Sequence, residues 1–178
     1  ESIDIEGPFA TLCAELIDPG TDGSARATIQ NDPVAWWKKW KELLDVNVMG
    51  MVYVTRAVLP KMIENNYGRI VNVASVAGVY GNAMMAHYSA TKGAIIAFTK
   101  ALAKEVTDKG VLVNAVSPGS VSPSDNHDID YTKESNLSFM GRTGSDRENA
   151  NLICFLASEE ASYIAAQNIQ IDGCRKKQ

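Results

Sequence analysis

The chain has 178 residues, 46% of them hydrophobic and 21% charged, with a net charge of −4. That suits a single globular domain with a sizeable core, and an acidic balance argues against the basic face that nucleic-acid binding needs. Cys13, Cys154 and Cys174 are far apart with no CxxC pair, and His87 and His127 are the only histidines. Neither a disulfide framework nor a metal site is expected, and a reducing cytoplasm is the expected location. No apolar run approaches the ~20 residues of a membrane span and no basic-then-apolar leader opens the chain, so no membrane partner is expected.

Residues 1–32 form an atypical N-terminal segment. Phe9 to Ile17 could be a short strand or a helix, and Pro19 to Ser24 is turn chemistry. The first residue is Glu1 rather than Met, which points to a missing or processed N-terminus. Residues 33–178 read as one α/β domain. Asn31 or Asp32 can cap a helix with Pro33 in its first turn. Apolar residues then follow with helical spacing from Trp36 through Leu43 and Val54 to Met62, and a kink is expected at Pro60. Asn65 to Gly68 is a turn. Arg69 to Ser75 is short and rich in β-branched residues, as a buried strand should be. A helix spans Tyr88 to Val106, with Gly110 as its stop. Val111 to Val116 is a strand, and residues 120–138 read as a polar loop. Ser145 can cap a helix through Leu156, and Asn168 to Asp172 is the last strand. The Arg175, Lys176, Lys177 run reads as a solvated tail. Strands alternating with helices longer than ten residues imply a doubly wound parallel sheet.

Three residues combine into chemistry. Ser75 ends a buried strand, Tyr88 follows 13 residues later, and Lys92 lies four beyond Tyr88 on the next helix. An i,i+4 pair shares one helix face, so the phenol and the ammonium can approach. A free phenol has a pKa near ~10; a neighbouring cation favours the phenolate and suits it to proton transfer at an alcohol oxygen. A serine hydroxyl can meet the charge developing on that oxygen. Ligand sites in open α/β sheets lie beyond the carboxyl ends of strands, where Ser75 and Pro118-Gly119 fall. A lone Tyr-x-x-x-Lys is usually structural, and it is the added serine at the strand end that makes the set specific.

Asp45-Val46-Asn47-Val48, Gly68 to Ser75, Tyr88-Ser89-Ala90-Thr91-Lys92, Val113 to Gly119 and Ile171-Asp172-Gly173 come in an order and spacing that resembles the classical short-chain dehydrogenases/reductases. The resemblance covers residues 34–173. It implies a Rossmann-like, three-layer α/β/α domain and an NAD- or NADP-dependent oxidoreductase that interconverts a secondary alcohol and a ketone. By resemblance, Tyr88 is the general acid/base, and Lys92 holds the nicotinamide ribose and lowers the pKa of Tyr88. Ser75 polarises the substrate carbonyl, and Asn47 holds a relay water. Pro118, Gly119 and the Val121 backbone line the nicotinamide, and Ser122 stands where a carboxamide-binding threonine is common. The helices 33–64 and 88–109 would pair across a two-fold axis in a homodimer or homotetramer.

The chain also departs from the family pattern. The glycine-rich turn that seats a pyrophosphate at a helix N-terminus is absent, and so is the Asn-Asn-Ala-Gly segment before the first long helix. Ala165-Ala166 stands where a glycine is common. The sheet therefore reads as incomplete at its N-terminal side. A catalytic reading comes first and a shortened, non-catalytic scaffold or partner subunit second, with an extended-branch epimerase last. NAD against NADP and the substrate's identity are not legible in these residues.

Overall fold

The computed structural model describes residues 33–122 and 137–176. Phe9 to Ile17, the Pro19 to Ser24 turn and most of the 120–138 loop lie outside the described residues. The first long helix is built of α1 (Pro33–Leu43), a π-helical turn (Leu44–Met49) and α2 (Gly50–Glu64). The expected irregularity at Pro60 is displaced. Pro60 sits on the exposed face and α2 continues past it to Glu64, whereas the ladder widens at Leu44–Met49. A π turn is a local insertion often found where a side chain must be re-aimed, and the residue it buries is Asn47.

Strand β1 (Gly68–Val73) follows, then a short helix α3 (Val76–Tyr80), the long α4 (Ala86–Val106) and β2 (Val111–Pro118). A two-residue strand β3 (Val121–Ser122) pairs with β4 (Gly144–Ser145). Helix α5 (Asp146–Ala157) and β5 (Asn168–Ile171) complete the described fold. The main sheet has the order β1-β2-β5, all parallel. Gly68 lies opposite Val111, Val73 opposite Val116 and Ala115 opposite Asn168. Gly110 turns α4 into β2 at φ 77°, and a Cβ there would collide with the Asn66 carbonyl oxygen, so only glycine fits.

Alternation along the strands sorts the core into two layers. Ile70, Val111 and Val113 pack under Leu59 and Met62 of α2 and Leu102 and Val106 of α4. Val71, Val73, Val116 and Ile169 pack under Leu152 and Leu156 of α5. This is the three-layer arrangement the sequence implied. Ala166, in the glycine-favouring position, is held at φ 60° while its N–H donates to Val113 O at 2.9 Å.

Among the described residues β1 has a strand neighbour on one side only. Its other edge floors an apolar groove of about 140 Å³ between Met51, Val54 and Val58 of α2 and Ile95 of α4. The helix Trp37–Glu64 is long and apolar enough to cross a membrane by length and composition. Its buried Leu43, Asn47, Met51 and Thr55 nevertheless belong to the packed face of this domain.

Candidate active site

The site forms at the carboxyl ends of the strands. Ser75 leaves β1 in an extended conformation and caps α3, its Oγ accepting the Ala77 N–H at 3.1 Å. That bond uses an oxygen lone pair and leaves the Ser75 O–H available to donate. Helix α3 rests directly on α4: a Cβ on Gly78 would lie 2.5 Å from Lys92 C and 2.6 Å from Gly93 N. This backbone-to-backbone contact fixes the spacing between the serine and lysine elements. Gly81, at φ 77°, ends α3 and lets the chain turn into α4.

Tyr88 lies in the first turn of α4, half-buried, and Lys92 one turn later is 2% exposed. The Lys92 ammonium donates to Val73 O at 3.0 Å and lies 5.6 Å from the centroid of the Tyr88 ring. Burying an ammonium is costly unless it is bonded, and the carbonyl at the end of β1 meets that need. Asn47, also 2% exposed, donates from Nδ2 to Thr91 Oγ1 at 3.1 Å, and Thr91 in turn donates to Tyr88 O at 2.9 Å. The π turn thus ties the first long helix to the segment between Tyr88 and Lys92. Asn47 Oδ1 is buried with no hydrogen-bond partner and borders the same groove as Lys92.

Pro118 and Gly119 close β2. The Gly119 N–H donates to Ile171 O at 3.0 Å, and a Cβ there would meet Asp172 Cβ at 2.8 Å. Val121 and Ser122 sit on β3, with Ser122 Oγ 2.8 Å from Thr143 Oγ1. Below them Ser145 and Glu148 form a capping box on α5. Arg142 grips Glu148 through both guanidinium nitrogens at 2.9 and 2.7 Å. That pairing, with the Ser145 N–H, holds the Glu148 carboxyl down at about 2.

Four features escaped the sequence reading. The π turn and α3 are too short to show periodicity. The β3–β4 pair involves two residues a side. His87 next to Tyr88 is 3% exposed and tilts against Trp40, the ring centroids 6.1 Å apart. Burial, then the charge of Lys39, holds its pKa below the ordinary histidine value. Arg175 and Lys176 correct an expectation: they are docked, half-buried, rather than solvated, while Lys177 lies outside the described residues. Arg175 bridges to Ser138 and donates from Nη2 to Asn82 Oδ1 at 3.1 Å. The Lys176 N–H donates to Leu137 O at 2.9 Å, and its ammonium lies over the Phe139 ring.

Comparison with known proteins places this geometry in a family. The family model described as enoyl-(acyl carrier protein) reductase matches residues 27–174. The 2-dehydro-3-deoxy-L-rhamnonate dehydrogenase (NAD(+)) of Sphingomonas sp. (strain SKA58) is 42% identical over 143 residues, 76% of this chain and 56% of that protein. A solved 3-oxoacyl-[acyl-carrier protein] reductase with bound NAD from Brucella melitensis matches with a TM-score of 0.69 at 36% identity, covering 76% of this chain and 51% of that one. A 3-oxoacyl (acyl-carrier-protein) reductase with NADP bound, from Agrobacterium tumefaciens C58, matches with a TM-score of 0.68 at 30% identity, covering 74% and 54%. The chain therefore spans about half the length of the relatives it matches. The parallel sheet and these matches agree: the chain belongs to the classical short-chain dehydrogenase/reductase family.

Proposed function

We propose that this chain supplies the proton-transfer and nicotinamide end of an NAD- or NADP-dependent oxidoreductase that interconverts a secondary alcohol and a ketone. The observation that carries the reading is Lys92. A fully buried ammonium, bonded to the last carbonyl of β1 and facing the Tyr88 ring, sits at the carboxyl edge of a parallel sheet. A lysine serving only solubility would not be buried there. The bound dinucleotide supplies or accepts the hydride, and relatives of this chain carry either NAD or NADP.

The chain's own residues account for the rest. In the reducing direction Tyr88 Oη donates its proton to the carbonyl oxygen of the substrate, and the Ser75 O–H donates a hydrogen bond to the same oxygen as charge builds there. Lys92 stabilises the phenolate left behind and would hold the ribose of the nicotinamide. The unpaired Asn47 Oδ1 is suited to accept from a water beside Lys92, through which Tyr88 is reprotonated. Pro118, Gly119 and the Val121 backbone would flank the nicotinamide, and the Ser122 hydroxyl, 2.8 Å from Thr143 Oγ1, would be the group for its carboxamide. The fit is good at this end: the orphaned Asn47 oxygen is a buried polar atom bordering the same groove as Lys92. The assembly is a homo-oligomer that covers the outward apolar side chains of the first long helix, Tyr53, Val54 and Val58 among them.

The test is Lys92→Ala in the whole protein that carries this chain. Carbonyl reduction is expected to fall at least about a hundredfold with weakened dinucleotide binding; unchanged rate and affinity overturn the reading.

A further inference from the structure

We infer that Arg175 is a specificity-determining residue and that it recognises a carboxylate on the substrate, so that the alcohol or ketone belongs to a hydroxy acid or an oxo acid. The inference rests on the reading of Tyr88 and Lys92 given above. Its own support is the placement of one guanidinium. Arg175 follows the carboxyl end of β5, and with Gly119, Ser120 and Asp172 it lines a small polar cavity at the rim where β2 and β5 end. Its stem is fixed by the backbone bridge to Ser138. Its head reaches across to the segment between Ser75 and Tyr88, where Nη2 donates to Asn82 Oδ1 at 3.1 Å. Asn82 is tied back to the start of α4, its N–H donating to Ser89 Oγ at 3.1 Å, one residue from Tyr88. The cation is thus held between the wall that follows Ser75 and the wall that follows β5.

The charges around it decide what it can bind. The cavity holds two arginines and one aspartate. Arg142 is paired with Glu148. The Asp172 carboxylate accepts the Cys174 N–H at 3.0 Å and keeps its charge, lining the same cavity as Arg175 without an ion pair to it among the described residues. Arg175 makes no carboxylate pair among the described residues and donates only to a neutral amide oxygen. Among the described residues the half-buried Arg175 guanidinium has an amide as its side-chain hydrogen-bond partner and no carboxylate at ion-pair distance, with Asp172 the one carboxylate lining the cavity. It also keeps N–H donors in a planar fork that matches a carboxylate. Packing Arg175 against Asn82 for shape alone would call for no charge, and a glutamine would bond Asn82 as well.

The experiment titrates the 178-residue chain, followed by NMR, with 2-hydroxybutyrate, 3-hydroxybutyrate and 4-hydroxypentanoate and with the amide of each. Each acid differs from its amide chiefly in charge, and the three acids place the carboxylate at increasing spacing from the hydroxyl. At one spacing or more the acid is expected to bind about tenfold more tightly than its amide, shifting Arg175 and Tyr88 resonances together. Arg175→Gln is expected to bring the ratio to about one, and Arg175→Lys to restore part of it. Equal binding of acid and amide at every spacing overturns the inference. So does an acid preference that survives Arg175→Gln, or inorganic phosphate shifting Arg175 where no hydroxy acid does. Tyr88→Phe leaves the acid-to-amide ratio in place, so a failure of catalysis and a failure of anion recognition are read separately.

Discussion

Gly78 is where the fold sets the geometry of the site, and Gly78→Ala tests that directly. The new Cβ would lie 2.5 Å from Lys92 C, 2.6 Å from Gly93 N and 2.8 Å from Lys92 O. Carbon contacts are comfortable at about 3.5–4.0 Å, so α3 and α4 must separate by roughly 1 Å. All three colliding atoms are backbone, so no rotamer change relieves the clash. Overpacking of this kind costs about 1–3 kcal/mol, against at most about 1 kcal/mol gained from replacing glycine in a helix. For a chain of this size the net loss lowers Tm by roughly 2–8 °C. The control is Gly93→Ala across the same contact, where the Cβ meets Gly78 O at 3.4 Å, an ordinary contact, and the helix-propensity gain should prevail. Thermal unfolding of both variants decides the matter. Gly78→Ala as stable as the parent, or Gly93→Ala equally destabilised, would show that the α3–α4 contact does not set the spacing of Ser75 and Lys92.

Other consequences are open to measurement. Glu148 titrates at about 2 because Arg142 and the Ser145 N–H favour its carboxylate. A depressed carboxyl stabilises the fold above its unfolded value near ~4.5 and loses that contribution as pH falls toward 2. Glu148 is 42% exposed, so solvent screening reduces the effect to about 1 kcal/mol. Glu148→Gln should therefore melt lower than the parent at neutral pH, with the gap closing on acidification from 4.5 toward 2; a gap independent of pH refutes this. Ala166→Gly relieves a left-handed alanine at φ 60° and should stabilise by about 0.5 kcal/mol after the unfolded-chain entropy of glycine is counted; a lower Tm contradicts it. Light scattering should give a mass at a multiple of 19.2 kDa, and a stable monomer at micromolar concentration removes the oligomer proposal.

Long periodic segments were legible in the sequence. The Tyr88 helix, the strand into Pro118-Gly119 and the Ser145 cap lie where their patterns put them, because burial on both faces and capping chemistry leave strong local traces; the strand expected to end at Ser75 stops at Val73, and Ser75 caps α3 instead. The π turn at Asn47 was not legible. Its residues fit a continuous α-helix equally well, and the widening shows only in the backbone ladder. Gly78 carries no signal in the sequence, because a close approach to Lys92, 14 positions later, leaves no local pattern. Arg175 was misjudged for the same reason. A basic run near a chain end is usually solvated, and only the bridge to Ser138 and the bond to Asn82 reveal that it is docked.

The central claim is that Tyr88 transfers the proton at the substrate oxygen, supported by Lys92. Its most direct test is Tyr88→Phe in the whole protein, with kcat for carbonyl reduction and dinucleotide Kd measured on the same preparation. The ring remains and the Lys92–Val73 bond is untouched, so Kd should stay within about threefold. Removal of the only proton donor in the proposed step should lower kcat by about a hundredfold or more. Retention of more than about a tenth of the parent kcat would contradict the assignment of Tyr88 as the acid/base.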